Sequence, residues 1–473
     1  MDSYEFIKAE NLICPERFDL ISKIKYVENK VQGLKLNFIK KYYLKTIEAF
    51  TEGTFIEEDG TELKKTAEDF LRIFDELIYD IKDNGVDPQR SLIPVNYEGI
   101  LDDGAHRTAI AIYFKQSIPI TYVQNKINFN YKFFRKRLLD EKILDWTATE
   151  YCKLRHNTYL VCIWPRADYE ALYDQIYEFL EQQAKIVYEK KIKFSVTGFI
   201  YFIAQIYSHQ DWVGNEKNHF LGAAEKARNC WDEKRKVLSF VIEAQSLERV
   251  VHIKEYIRGM FGIGNHSIHI TDNQKETISI ASLLYNKNSL DLMNYGEPDK
   301  YLQSSLKRKT FAQYIRKAGM SIDDFVVDSS SVLALYGLRD AEDIDYLYLH
   351  DSTELFDDKN IECHEEFLNQ YSMSKNEMIL NPENYLVYDG IKFITLNILL
   401  KFKKNRGEKK DIVDCKLIED FMSQNKSIKT LLLKIRAKGM RILRNIRISI
   451  LHLIKKVLVK LGIFERIKEI LKR

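Results

Sequence analysis

The sequence predicts a multidomain α/β (α+β) protein. Its 473 residues exceed the length of one ordinary domain. Hydrophobic residues make up 45% of the chain, with only 19 glycines and 7 prolines, which favours folded, helix-rich units over disorder. Short extended runs alternate with stretches in which apolar residues recur every three or four positions, and this alternation is typical of packed helices and sheets.

The first 150 residues predict a compact α/β unit. Apolar spacing indicates helices at 42–50 and 63–81. An extended run ending at Ile100, a polar loop, a helix at 108–114 and a strand at 118–123 follow in close succession. Strand, loop, helix and strand in so little sequence predict one domain over residues 1–150.

The rest of the body predicts two further domains. The pattern from 168 to 260 is largely that of helices, so we expect a helical connector domain over 151–260. Beyond it, a glycine-rich turn leads into a strand, helices follow at 276–286 and 311–320, and another strand begins near 325. These elements predict a third domain over 261–422.

Cysteine usage and the N-terminal sequence predict a cytoplasmic protein. The six cysteines are scattered and contain no Cys-x-x-Cys pair, which fits a reducing compartment. The acidic N-terminal stretch MDSYEFIKAENL lacks the basic start and apolar core of a signal peptide. No window offers the long uncharged run of a transmembrane helix.

The loop at 100–107 is a first candidate site. It places two acids, Gly104, His106 and Arg107 directly ahead of an apolar helix. Backbone N–H groups and the positive end of a helix dipole attract anions at such a bend, and the two basic side chains add donors for phosphate. Asp102 or Asp103 would hold magnesium or accept a proton. The alternative is an acidic turn that caps the helix.

The Asp-Gly-x-His-Arg order of this loop resembles the motif of the ParB/sulfiredoxin-like superfamily over residues 65–125. The resemblance implies a nucleotide bound at the loop, with Gly104, His106 and Arg107 on phosphate and Asp103 beside the reacting group. One branch of that superfamily transfers phosphate to a small hydroxylated molecule. Ala105 replaces the cysteine that sulfiredoxins need, and an acidic region follows where ParB has a basic helix-turn-helix, so neither thiol chemistry nor DNA partitioning is expected.

The run VVDSSSVLALYGLRDAEDIDYLYL at 326–349 is a sharper candidate. Asp343 and Asp345 flank Ile344 in a strand-like segment, so we expect both carboxylates on one face. Two carboxylates so placed can share divalent ions that bind a triphosphate. The alternative is a solvated strand edge, which the apolar sequence on both sides disfavours.

This run resembles the DNA polymerase beta-like nucleotidyltransferase superfamily, whose pattern is Gly-Ser, a short helix and Asp-x-Asp on a strand. Ser329 and Ser330 stand where Gly-Ser would be. The resemblance implies a nucleoside triphosphate as substrate and Mg²⁺ or Mn²⁺ on Asp343 and Asp345. A third metal carboxylate is expected on a neighbouring strand, and Asp389 is our prediction for it. The alternative is that Asp389, directly before Gly390, is a turn residue.

The segment at 385–418 is similar to AbiE-type and related relatives, in which an edge strand precedes a helix that carries basic residues and then Lys-Asp. The resemblance implies that Lys404 binds phosphate. The residues that fit the order are Lys401, Lys404, Arg406, Lys410, Asp411 and Asp414.

The stretch GIGNHSIHITD at 262–272 is the third candidate. Its glycines permit close approach of the backbone to a ligand, and His266 is predicted to bind phosphate. His266 and His269, three apart at the start of a strand, fall on opposite faces, so a shared metal is not expected. A satisfied core or loop histidine is the alternative. The arrangement is similar to proteins of bacterial surface-polysaccharide clusters.

The last 48 residues predict a basic amphipathic tail over 426–473. They hold fifteen Lys or Arg against two acids, a net +13, whereas the whole chain carries +3, so the remaining 425 residues carry −10. Such a tail favours the surface of an anionic membrane, and the acidic body disfavours a nucleic-acid partner. A helix packed on the body, or one that binds nucleic acid, is the alternative. The apolar positions at helical spacing are Leu443, Ile446, Ile450, Leu453, Ile454, Val457, Leu458 and Leu461.

These features together predict a metal-dependent phosphoryl or nucleotidyl transferase. The expected acceptor is a small polyol, sugar or glycan precursor in bacterial surface-polysaccharide biosynthesis, and the expected location is the inner face of the plasma membrane. Two alternatives stay open: a nucleotide-sensing regulatory or toxin-type nucleotidyltransferase that modifies RNA or protein, and a non-catalytic scaffold.

Overall fold

A computed structural model describes residues 4–56, 64–350, 355–356, 358–424, 450, 453–454 and 457–458. These residues form a mixed α/β protein with three sheets of three, four and five strands. Within these ranges, no helix combines the length and the apolar character needed to cross a bilayer.

The N-terminal unit is a three-stranded sheet covered by helices. Its strands are β1 (Glu5–Lys8), β2 (Ile93–Asn96) and β3 (Ser117–Val123), and β3 lies in the centre, antiparallel to β1 and parallel to β2. The predicted succession of strand, loop, helix and strand is confirmed. The helices are α1 (Leu20–Val31), α2 (Asn37–Phe50), α3 (Ala67–Asn84) and α4 (Ala105–Tyr113).

The middle unit is built on a four-stranded antiparallel sheet. Its strands are β4 (Thr158–Ile163), β5 (Lys185–Ile192), β6 (Val237–Glu243) and β7 (Ile268–Ile270), in the spatial order β5-β6-β4-β7. Strands β4 and β5 flank β6 and are connected through α7, so they form a split β-α-β unit. Helices α8 and α9 lie between β5 and β6 in the chain. The helices are α5 (Tyr131–Lys136), α6 (Glu141–Leu154), α7 (Tyr173–Gln183), α8 (Val196–Ile206), α9 (Leu221–Cys230), α10 (Leu247–Phe261), α11 (Gln274–Leu284) and α12 (Lys287–Tyr295).

The expectation of a helical connector over 151–260 is wrong, because β4, β5 and β6 all lie inside that range. Within the stretch predicted to be largely helical, α7 ends at Gln183, and KIVYEKKI forms β5. The run VLSFVIE is likewise a strand, six of whose seven residues are buried. A strand buried on both faces loses the alternation that would distinguish it from a buried helix.

The C-terminal unit contains a mixed five-stranded sheet. Its strands are β8 (Phe325–Val327), β9 (Ile344–Tyr348), β10 (Ile361–Cys363), β11 (Tyr385–Tyr388) and β12 (Ile391–Ile394), in the order β10-β9-β8-β12-β11. Strand β8 is antiparallel to β9 and parallel to β12, and β9 is parallel to β10. The helices are α13 (Leu302–Lys317), α14 (Ser329–Leu335), α15 (Lys375–Leu380), α16 (Leu396–Arg406) and α17 (Lys409–Gln424).

The N-terminal and C-terminal units contact each other through α2. The Glu377 carboxylate accepts a hydrogen bond from the backbone N–H of Asn37, at the start of α2, at 2.6 Å. The Glu383 carboxylate accepts one from the Tyr42 hydroxyl at 2.9 Å and pairs with the Lys142 ammonium group at 2.6 Å. Charged side chains therefore join elements more than 200 residues apart in the chain.

Most of the predicted tail at 426–473, with Leu443, Ile446 and Leu461, lies outside the described residues. Five apolar tail residues are described, and all are helical. Leu458 is partly buried, and the other four have side chains between 48% and 66% exposed: Ile450, Leu453, Ile454 and Val457. Their spacing of three and four places them along one side of a helix, and that side is not buried against the body.

Candidate functional site

Four ionisable side chains lie together at one end of the C-terminal sheet. Asp328 directly follows β8, Asp343 directly precedes β9, Asp345 lies inside β9, and His364 directly follows β10. Because β8 and β9 are antiparallel, the end of one strand meets the start of the other, and the Asp328 N–H donates to the Asp345 carbonyl at 2.9 Å. The His364 N–H donates to the Tyr346 carbonyl at 2.9 Å, which brings the histidine to the same place.

The His364 imidazole lies between two buried carboxylates. Its Nδ1 is 3.1 Å from Asp328 Oδ1, and its Nε2 is 3.2 Å from Asp345 Oδ1. All three residues are less than 10% exposed. One donor atom from each lies within 4.8 Å of the others, which is close enough for the three side chains to share a metal ion.

The charges of this cluster are strongly coupled. Burial alone would lower the pKa of His364, but the ion pairs with Asp328 and Asp345 raise it to about 10. Burial raises the pKa of Asp345, and the charges of Asp328 and Asp343 add to the rise. Burial would raise the pKa of Asp328, but the pairing with His364 holds that pKa below its ordinary value. A cation between the carboxylates therefore stabilises the cluster, and a metal ion at Nε2 has to displace a proton.

Hydroxyl groups hold the aspartates in place. The Ser330 hydroxyl donates to Asp343 Oδ1 at 3.1 Å, and the Ser331 hydroxyl donates to the Asp343 carbonyl at 3.0 Å. The Tyr371 hydroxyl donates to Asp328 Oδ2. The carboxylates of Asp343 and Asp328 thus each have one oriented oxygen, and such support from neighbouring groups favours a precise metal or phosphate site.

The structure brings Asp343, Asp345 and Ser330 together but leaves Asp389 elsewhere. Asp389 lies in the turn between β11 and β12, and its carboxylate accepts from Gln205 at 3.0 Å and pairs with Arg308 at 3.4 Å. Since β12 runs parallel to β8, this turn lies at the opposite end of the sheet from Asp328. The expectation that Asp389 supplies the third metal carboxylate is therefore corrected, because an aspartate before a glycine served a tight turn.

Lys404 lies on the exposed side of α16, where its ammonium group pairs with Glu419 at 2.6 Å. Its neighbour Lys403 is 1% exposed and pairs with Asp411 at 3.0 Å and Asp414 at 2.7 Å. Buried ion pairs therefore join α16 to the Lys-Asp segment at the start of α17. Phosphate binding by Lys404 stays a prediction.

The loop at 100–107 has the predicted bend, with Gly104 in the left-handed conformation at φ +80° directly before α4. The left-handed backbone favours glycine, and a Cβ at this position would lie 2.7 Å from Ile93 Cδ1, so another residue would also displace that side chain. The Asp102 carboxylate accepts from Asn125 at 2.6 Å, Asp103 is exposed, and Arg107 donates to the Ser91 hydroxyl at 2.5 Å.

His106 belongs to an aromatic cluster. Its Nε2 lies 2.9 Å from the Tyr43 hydroxyl, and its ring packs edge-on against Phe74 at 4.6 Å between centroids. Burial, together with the charges of Lys23 and Lys64, lowers its pKa well below the ordinary value. The lowered pKa and the contacts with Tyr43 and Phe74 disfavour a charged donor at His106, and phosphate binding by this residue stays an untested prediction.

His266 lies in the middle unit, on the wall of a cavity of about 600 Å³. Its Nδ1 is 3.7 Å from the Cys230 sulfur. His269, on the neighbouring strand, is buried; its Nδ1 contacts the Tyr207 hydroxyl at 3.1 Å, and its Nε2 lies 3.4 Å from Glu276. His269 is thus a core histidine held by Tyr207 through Nδ1 and lying beside the Glu276 carboxylate. Phosphate binding by His266 stays a prediction.

Sequence reasoning missed Asp328 and His364. Both follow directly after a short strand, FVV before Asp328 and IEC before His364. Only the first of these strands is wholly apolar, so only Asp328 had a signal in the local sequence. Comparison of the chain with protein-family models, with curated proteins and with solved structures finds no match.

Chemically, the cluster of three aspartates and His364 offers oxygen and imidazole ligands for a divalent cation, and such a cation binds the phosphates of a nucleotide.

Proposed function

We propose that this chain is a metal-dependent transferase that moves a phosphoryl or nucleotidyl group from a nucleoside triphosphate to a small hydroxylated acceptor. One observation carries the proposal: Asp343 and Asp345 lie with Asp328 and His364 at the meeting point of three adjacent strands. Carboxylates gathered in this way serve transfer reactions of phosphates, whose catalysis is mostly positioning and charge neutralisation.

The carboxylates of Asp343 and Asp345 suit Mg²⁺ or Mn²⁺, since both ions accept carboxylate oxygens. When bound, such an ion neutralises the phosphate charges and orients the triphosphate for in-line transfer. The chain's own contribution is to fix these ligands: Ser330 and Ser331 hold Asp343, and the β8–β9 pairing fixes Asp345 beside Asp328.

The backbone at Ser329 supports the likeness to polymerase beta-like nucleotidyltransferases. Ser329 has φ +53°, in the left-handed region that glycine adopts most easily. The superfamily pattern has glycine at this point, before the serine that corresponds to Ser330. The backbone shape expected from the resemblance is therefore compatible with the serine found here.

The acceptor we propose is a polyol, sugar or glycan precursor in bacterial surface-polysaccharide biosynthesis. This part of the proposal comes from the two resemblances, one to a branch that phosphorylates small hydroxylated molecules and one to polysaccharide-cluster proteins. The backbone at Gly104 and the side chains of Asp103 and Arg107 stay the predicted nucleotide contacts of the first loop. The His106 ring serves the core beneath that loop.

We also propose that the tail docks on the inner, anionic surface of the plasma membrane. Two observations support this location. Four of the five described apolar side chains of the tail, Ile450, Leu453, Ile454 and Val457, are exposed, which disfavours a helix packed against the body through that face. The tail carries net +13, and each cation near anionic lipid contributes about 1 kcal/mol.

The function is tested by turnover of each nucleoside triphosphate with Mg²⁺ or Mn²⁺ and a panel of polyols and sugars, followed by release of phosphate and pyrophosphate. We expect Asp345→Asn to lower turnover at least about 100-fold, since the metal ligand carries the charge neutralisation. The matched control is Asp420→Asn on the exposed side of α17, which should keep full turnover. Turnover that survives Asp345→Asn would contradict the proposed site.

A further inference from the structure

We propose that His364 is a metal ligand through Nε2, beside Asp345, and that the site selects a divalent first-row transition metal over magnesium. The proposal rests on the proposed function for its place in catalysis, but it concerns the identity of the ion and the ligand set. His364 takes the place of the third carboxylate that the sequence led us to expect at Asp389.

The first observation is the position of the imidazole. His364 follows β10, which pairs in parallel with β9, so that its ring reaches the Asp345 carboxylate on the neighbouring strand. The two donor atoms, Nε2 and Oδ1, lie 3.2 Å apart, and Asp343 is two residues from Asp345 on the same strand run. Nε2 and Asp345 Oδ1 thus offer one nitrogen and one carboxylate oxygen to a single cation, and in this proposal Asp343, directly before β9, adds the second carboxylate.

The second observation is the environment of the other ring nitrogen. Metal-bound histidines usually present their second nitrogen to a carboxylate, which orients the ring and strengthens its binding. His364 Nδ1 lies 3.1 Å from Asp328 Oδ1, and Asp328 is 0% exposed and is itself held by the Tyr371 hydroxyl. Asp328 is therefore a positioning residue, and Tyr371 in turn positions Asp328.

The third observation is an unmet hydrogen-bonding capacity in this buried pair. Neither His364 Nδ1 nor Asp328 Oδ1 makes a hydrogen bond to the part of the chain that the structure describes, although the two atoms are close enough for one. Buried polar atoms without hydrogen bonds are rare and mark sites with a chemical role.

The donor set decides which ion the site prefers. Magnesium prefers six oxygen ligands and rarely takes imidazole, whereas Mn²⁺, Co²⁺ and Zn²⁺ accept mixed oxygen and nitrogen ligands. A third carboxylate in place of His364 would give an oxygen-only set suited to magnesium. The imidazole therefore shifts the preference to transition metals.

The proposal is tested on the full chain with Mn²⁺ as the probe and no nucleotide. Electron paramagnetic resonance counts bound Mn²⁺, and its pulsed form detects the ¹⁴N nucleus of a coordinated imidazole. We expect one tight site with a ¹⁴N signal, from which Mg²⁺ displaces Mn²⁺ only at roughly 100-fold excess or more. His364→Asn should remove the ¹⁴N signal and weaken Mn²⁺ binding about 10- to 100-fold.

If His364→Asn does not fold, a second variant still tests the proposal. Tyr371→Phe leaves every proposed ligand in place but frees Asp328, so we expect the ¹⁴N signal to persist with Mn²⁺ binding weakened. Absence of a ¹⁴N signal from Mn²⁺ bound to the unaltered chain, or equal affinity for Mg²⁺, would overturn the inference. Selective Mn²⁺ binding without any nucleotide turnover would contradict the proposed function but not this inference. Nucleotide turnover with no preference between Mn²⁺ and Mg²⁺ would contradict this inference but not the proposed function.

Discussion

Ser329 carries the clearest sign of local strain near the site. A residue with a Cβ in the left-handed region costs about 1–2 kcal/mol relative to its preferred conformation, and Ser329 has φ +53° between β8 and α14. The turn at this point directs Asp328 towards His364 and Ser330 towards Asp343. The strain therefore lies where the chain connects the strand to the residues of the site.

We expect Ser329→Gly to raise the free energy of unfolding by about 1 kcal/mol, because glycine adopts this conformation without the steric cost. The matched control is Ser331→Gly, two residues on within α14, which loses the hydrogen bond to the Asp343 carbonyl and should destabilise by about 1 kcal/mol. Urea denaturation of the three proteins measures both effects. Destabilisation by Ser329→Gly would show that the serine side chain outweighs the strain.

Sequence reasoning found the site residues that are close in the chain and missed those that are distant. Asp343 and Asp345 were predicted because one short run contains both, with apolar residues on either side. His364 reaches them only because β10 pairs with β9, and nothing in the local sequence fixes that pairing. Asp389 was misassigned for the same reason, since strand order decides which end of the sheet a turn occupies.

At the scale of elements, α16 and α17 are held together by buried ion pairs. The Asp411 carboxylate is 1% exposed and pairs with Lys403 at 3.0 Å and Arg406 at 2.7 Å. Arg339, from the loop before β9, pairs with Asp414 at 2.6 Å. These contacts fasten the helical hairpin to the strand that carries the site.

The stability of this hairpin should fall in acid. Burial would raise the pKa of Asp411, but Arg406 and Lys403 lower it to about 2, below the value of about 3.9 in an unfolded chain. A depressed carboxyl pKa contributes stability that is complete above about pH 4 and is lost as the pH falls towards 2. We expect Asp411→Asn to be less stable at neutral pH and to show a flatter decline between about pH 4 and pH 2, measured by urea denaturation. An unchanged slope would contradict the role of Asp411.

The elements predicted correctly are those in which apolar residues recur with a clear helical or strand period. Amphipathic helices such as α2 and α3 were predicted within a few residues, and so was strand β3. Strands β5 and β6 were taken as helix because both faces are covered and the two-residue alternation disappears. The middle unit was therefore misjudged as a helical connector.

At the scale of the whole molecule, charge separates an acidic body of −10 from a tail of +13. The proposed membrane docking predicts that full-length protein sediments with vesicles rich in anionic lipid, and that a chain ending at Asn425 does not. Neutral vesicles are the control, and added salt should release the protein because charge supplies much of the affinity. Equal sedimentation of the two chains would refute the assignment.

We propose that Asp343, Asp345 and His364 form a centre for metal-dependent transfer from a nucleoside triphosphate. The most direct measurement is ³¹P nuclear magnetic resonance of each triphosphate incubated with the protein, Mn²⁺ removed before acquisition, and a candidate polyol or sugar. We predict the appearance of a phosphorylated or nucleotide-linked acceptor with the full chain and with Asp420→Asn, and its loss with Asp345→Asn. Triphosphates that stay intact with every nucleotide and acceptor, or a product that forms equally with Asp345→Asn, would contradict the claim.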